Sequence, residues 1–204
     1  MQGRSRCWYL EGETEEIFYP LVAARYLVGI PLHYKLLRGQ GNINRQVTGA
    51  AGQYLHNNPA TRVRVYCCID AERNKRSATP LELDFVREEI VRRNLRGVLS
   101  VDAIMADPEI ESWFFHDVEG VYGFVQAKKS RRNPGRYRNA SNFGKRDLQR
   151  LFEQFGKVYV SGKRARHFIE SLDVERIVKC CPGLCAGVTL IRTQAHDMTN
   201  HLIR

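Results

Sequence analysis

Apolar residues fall along the first half of the chain in short blocks that alternate with amphipathic stretches. Residues 7–10 (CWYL) form an apolar run halted by Glu11-Gly12, the pattern of a buried strand. Thr14 can cap a helix over residues 15–28, with Ile17, Phe18, Leu21 and Val22 on one face. Residues 31–37 (PLHYKLL) alternate enough for a second strand, and 38–42 (RGQGN) read as a loop. A helix is predicted over 43–56. The run 62–69 (RVRVYCCI) is the clearest strand, rich in β-branched residues and ending at Asp70. Pro80 suits the first turn of a charged amphipathic helix reaching to about Arg96. A fourth strand over 98–105 follows, then Asp107-Pro108 and a helix through Phe115.

The order is β-α-β-α-β-α-β-α, with every crossover long enough to join parallel strands. The expected fold is therefore α/β, a mainly parallel four-stranded sheet flanked by helices. The pattern changes after His116. Residues 128–146 (KKSRRNPGRYRNASNFGKR) hold eight basic residues and no acid, and their Pro, Gly, Asn and Ser content argues against a regular element. Helices are predicted beyond them over 145–155, 163–172, 174–180 and 184–204. No internal repeat or clean linker is visible. We divide the chain into an α/β core over residues 1–117, and a basic insertion with a helical C-terminal extension over 118–204, packed on that core.

Charge adds a partner to this picture. The 32 Lys and Arg outnumber the 22 Asp and Glu, a formal net charge of +10. Such a surface suits a polyanion, because each phosphate contact releases counterions. No apolar run approaches 18 residues, so no membrane span is expected, and residues 1–6 do not lead into the apolar stretch of a secretory signal. A cytoplasmic location is the expectation. In that reducing setting the six cysteines are not expected to form disulfides. Cys67 and Cys68 read as core, and Cys180, Cys181 and Cys185 lack the paired spacing of a zinc site. None of the six histidines has metal-type spacing, and Trp8 and Trp113 read as core aromatics.

In so basic a chain the acids at strand ends are the informative ones. Glu11 follows the first strand, with Gly12 supplying a sharp turn. Asp70 and Glu72 follow the third, spaced so that both carboxylates can leave one side of an extended backbone. Asp107, Glu109 and Glu111 follow the fourth. Ligands of parallel α/β sheets bind outside the carboxyl ends of the strands. Carboxylates gathered there repel one another, and a hard divalent cation resolves the conflict through oxygen ligands. The same positions also suit solvated loop acids or helix caps. Glu13, Glu15 and Glu16 are read as first-turn acids complementing a helix dipole, and Asp107 and Glu109 as caps.

Two motifs, W-Y-L-E-G-E-T-E (Trp8 to Glu15) and Y-C-C-I-D-A-E (Tyr66 to Glu72), resemble the Toprim domain, whose pattern is a strand ending in Glu-Gly and a later strand ending in Asp-x-Asp. Glu72 stands where that pattern has its second Asp. The stretches A-D-P-E-I-E-S-W-F-F (Ala106 to Phe115) and S-G-K-R-A-R-H-F-I-E-S-L-D-V-E-R-I-V-K-C-C-P (Ser161 to Pro182) resemble small standalone Toprim-like proteins linked to prokaryotic phage defence and related to the overcoming-lysogenization-defect nucleases. The resemblance implies a Toprim/Rossmann-like core and Mg²⁺ or Mn²⁺ as cofactor. It implies Glu11 as general acid/base or metal ligand, Asp70, Glu72 and Glu111 as metal ligands, and Lys163 as a phosphate-stabilising lysine.

From these readings we expect a metal-dependent nuclease acting on nucleic acid, DNA rather than RNA, in a defence setting that can include a partner protein. Lys128, Lys129, Arg131, Arg132, Arg136, Arg138, Lys145 and Arg146 are the expected strand contacts, and Tyr137 and Phe143 among them suit base-stacking platforms. The alternative is a non-catalytic nucleic-acid sensor or partner subunit, in which the altered acid at Glu72 marks lost chemistry.

Overall fold

The computed structural model describes residues 4–37, 42–71 and 80–200, without the side chains of 4–7 and 196–200. Its core is an all-parallel sheet of four strands, β1 (Arg4–Leu10), β2 (Leu32–Leu36), β3 (Arg62–Asp70) and β4 (Val98–Ala106), in the order β2-β1-β3-β4. The helices are α1 (Glu13–Tyr26), α2 (Ile43–Asn57), α3 (Leu83–Arg92), α4 (Ile110–Phe114), α5 (Val118–Phe124), α6 (Lys145–Gln154), α7 (Arg166–Glu170), α8 (Val174–Cys180) and α9 (Pro182–Asn200). The α/β parallel class expected from the sequence is thus the fold.

Side chains alternate across the sheet with a period of two and separate its helices into layers. Tyr9, Val63, Val65, Cys67, Ile69 and Val101 face α2 and α3 in one apolar cluster. Trp8, Leu10, Tyr66, Cys68 and Ile104 face the other way, into a larger cluster that runs through α1 and onward to Leu184, Val188 and Ile191 of α9. Core and C-terminal extension therefore share one interior. Where α9 crosses β4 the approach is close, since a Cβ on Gly187 would stand 2.8 Å from Ile104. From the neighbouring β3, the Tyr66 hydroxyl also donates to Gln194 of α9, at 2.6 Å.

Element ends differ from the sequence reading for local reasons. Gly12, not Thr14, is the N-cap of α1, so the helix starts two residues early. Pro80 does not open α3. Its carbonyl accepts from Asn44 Nδ2 while the Glu82 N–H donates to Asn44 Oδ1, which pins residues 80–82 to α2 and delays the helix to Leu83. The same helix stops before Asn94, whose φ of 54° lies in the left-handed region. Gly162, at φ 76°, makes residues 162–165 a 3-10 turn ahead of α7 rather than one long helix. The basic segment contains three short 3-10 turns, Lys129–Arg131, Pro134–Tyr137 and Ala140–Asn142. No helix among the described residues is long and apolar enough to cross a membrane.

Candidate metal centre

Although β1 and β3 are neighbours, the chain leaves β1 toward β2 and leaves β3 toward β4. The two connections diverge there, and in open parallel sheets such a crevice is where ligands sit. Glu11 and Asp70 occupy its two sides. The Glu11 N–H donates to the Cys68 carbonyl at 3.2 Å, and the Glu11 carboxylate accepts the Asp70 N–H at 2.9 Å. The glycine between Glu11 and α1 gives room rather than a turn. Its φ of −136° is extended backbone open to any residue, but a Cβ there would stand 2.8 Å from Glu15 Oε2.

From the other side, Asp70 Oδ1 accepts the Ile110 N–H at 2.8 Å, which ties the end of β3 to the start of α4. Glu111, one residue further, is buried, and its Oε1 accepts the Tyr159 hydroxyl at 3.0 Å. Glu109 Oε1 accepts the Lys145 N–H at 2.5 Å, so Glu109 caps α6 and not its own helix. A Cβ at Gly144 would overlap that carboxylate. Besides these anchoring bonds, Asp70, Glu109 and Glu111 each offer a carboxylate oxygen, and the three oxygens lie within 4.8 Å of one another. Ligands made only of carboxylates suit a hard divalent cation.

The electrostatics show the same crowding. Burial pushes the Asp70 acid up to about 9, with Glu15, Glu111 and Glu11 adding repulsion. Glu15 rises to about 7, first through burial, then through Glu111 and Glu11, against backbone N–H groups that favour its charge. Glu111 is raised by burial and by Glu109, while the Tyr159 hydroxyl and Lys145 pull it down. Tyr159 in turn holds its proton far more tightly than a free phenol, because it is buried and donates to a carboxylate.

Of the acids expected from the sequence, Asp70 and Glu111 thus meet, Glu11 is bonded to the Asp70 backbone beside them, and Glu72 lies outside the described residues. Lys163 is exposed, with Nζ 4.0 Å from Glu13 and its N–H directed at the same carboxylate. Lys145 lies close enough to Glu111 to stabilise its charge. Three of the expected strand contacts are engaged within the protein: Arg131 donates to the Gln154 carbonyl and covers the Phe155 ring, Arg132 bonds Glu119 and the Ala127 carbonyl, and the Arg136 guanidinium lies over the Tyr137 ring. Lys128, Lys129, Arg131, Arg136, Arg138 and Arg146 are exposed.

The stacking role expected of Tyr137 and Phe143 is corrected by their packing. Tyr137 is 5% exposed and stacks on Phe115, with ring centroids 4.9 Å apart, and Phe143 leans on both rings. These rings anchor the segment to the core.

Glu15, Glu109 and Tyr159 are the site residues that sequence reasoning missed. Glu15 carried a usable signal, since it shares the inward helical stripe with Phe18 and Val22 at i, i+3 and i+7. Glu109 resembles any first-turn acid, and only the arrival of α6 recruits it. Tyr159 lies 48 positions from its partner Glu111.

No family model, curated protein or solved structure matches the chain.

Proposed function

We propose that the protein is a Mg²⁺- or Mn²⁺-dependent nuclease, cutting or nicking phosphodiesters, with DNA as the favoured substrate. The observation that carries this reading is the meeting of Asp70, Glu109 and Glu111 oxygens within 4.8 Å, beside a Glu11 carboxylate bonded to the Asp70 backbone. Glu11, Asp70, Glu109 and Glu111 would hold the cation, with Glu72 as a further candidate from sequence. Such an ion supplies Lewis acidity to a phosphodiester and to its attacking water. The chain's own residues do the rest. Ile110 and Lys145 orient Asp70 and Glu109 through backbone N–H groups. Tyr159 fixes Glu111. Glu15, poised near neutrality, can keep or release a proton beside the cluster. Lys145, near Glu111, and Lys163, beside Glu13, would meet phosphate oxygens. The net charge of +10 and the Toprim-like motifs support a nucleic-acid substrate, and the motifs alone suggest the defence setting.

The test is cleavage of labelled DNA by purified protein in Mg²⁺, Mn²⁺ or EDTA, with Glu11→Ala and Asp70→Ala alongside. Metal-dependent cutting lost in both variants is expected. Cutting that persists in either variant, or no cutting with either metal, defeats the proposal. Binding in EDTA without cleavage under any condition would favour the sensor reading.

A further inference from the structure

Residues 128–146 form a track with a direction. The track starts at the C-terminal end of α6, where Arg131 bonds the Gln154 carbonyl, and it finishes at the N-terminal end, where Lys145 bonds Glu109. The ten residues of α6 separate these ends by roughly 15 Å at 1.5 Å per residue. Along the way the 3-10 turn Ala140–Asn142 packs on α4, the helix that carries Glu111.

The track offers charge without rings. Tyr137 is buried between Phe115, Phe143 and Tyr122, and the Arg136 guanidinium lies over it, 5.6 Å from its centroid. Phe143 is half-buried against the same cluster, and Phe155 sits under Arg131. Among the described residues the exposed aromatics are Tyr34 and Phe85, which belong to β2 and α3 rather than to the track. What faces solvent is Lys128, Lys129, Arg131, Arg136, Arg138 and Arg146.

Single-strand binders combine a basic groove with aromatic platforms on which unpaired bases stack. A surface of cations alone gains instead from charge density, and duplex DNA carries about one charge per 1.7 Å of axis, twice that of either of its strands. We infer that the strand delivered to the acid cluster belongs to a duplex, held by its phosphates along residues 128–146. For where the track leads, this rests on the nuclease reading.

The test is fluorescence anisotropy in EDTA, with a 20-bp DNA duplex (about two helical turns) and each of its single strands, over a salt series. The duplex is expected to bind at least ~10-fold tighter than either strand. Its log affinity should fall with log salt at a slope of about −5 to −6, from six exposed cations at about 0.9 each. Arg138→Gln and Arg146→Gln should each flatten that slope by about 1. Single strands that bind as tightly as the duplex, or slopes unchanged in both variants, overturn the inference and leave the nuclease reading standing. Tight duplex binding with no cleavage on adding Mn²⁺ removes the nuclease reading and keeps the duplex track. Absence of binding to any strand removes both.

Discussion

Replacing Glu15 by glutamine keeps the side chain's shape and takes one negative charge out of a buried cluster. Glu15 is 5% exposed and its acid is raised from 4.5 to about 7. A carboxyl with a raised folded-state value favours folding below its unfolded value, and that contribution is lost as pH rises through the folded one. Without metal, the wild-type protein therefore loses stability between about pH 4.5 and 7 on account of this group. At pH 7 the loss amounts to about 3 kcal/mol. Glutamine removes it but leaves an amide partly unmet, which costs about 1 kcal/mol. The net gain of about 2 kcal/mol corresponds to roughly 4–8 °C in Tm for a chain of this length. The assay is thermal unfolding in EDTA at pH 5 and pH 8, wild type against Glu15→Gln. Little difference is expected at pH 5 and the larger gain at pH 8. A variant no more stable than wild type at pH 8 would refute the reasoning.

Three further outcomes follow from the same geometry. Mn²⁺ should raise the Tm of wild type more at pH 8 than at pH 5, because protons compete for the Asp70 carboxyl, and Asp70→Asn should abolish the rise; equal shifts at both pH values contradict this. Tyr159→Phe should weaken Mn²⁺ binding by roughly 10–100-fold in titration calorimetry, as loss of a hydrogen bond that orients a metal ligand commonly does, and an unchanged affinity rejects the role given to Tyr159. Gly144→Ala is permitted by its backbone, at φ −150°, but displaces the Glu109 carboxylate, so a variant with wild-type Mn²⁺ affinity would remove Glu109 from the site.

The strands were legible in advance because burial on both faces demands continuous apolar runs, and RVRVYCCI admits few other readings. Glu11 and Asp70 were legible because each interrupts such a run. The helix ends were less so. Asn44 pins residues 80–82, and Gly12 leaves room for Glu15, through contacts with no local sequence pattern. The basic segment misled in one respect. Aromatic residues among arginines look alike whether the rings meet bases or pack inward, and the ring of Phe115, 22 positions before Tyr137, decides the matter.

By itself, the sequence determined the α/β class, the strand ends that carry acid and the basic character of the surface, since periodicity and charge are local properties of a chain. Only the tertiary structure decided which carboxylates meet. Sheet order sets β1 beside β3, α6 brings Lys145 to Glu109, and the residues before α7 bring Tyr159 to Glu111. Each of these contacts joins side chains distant along the chain, whose repulsion or hydrogen bonding takes effect only once packing has excluded the water between them.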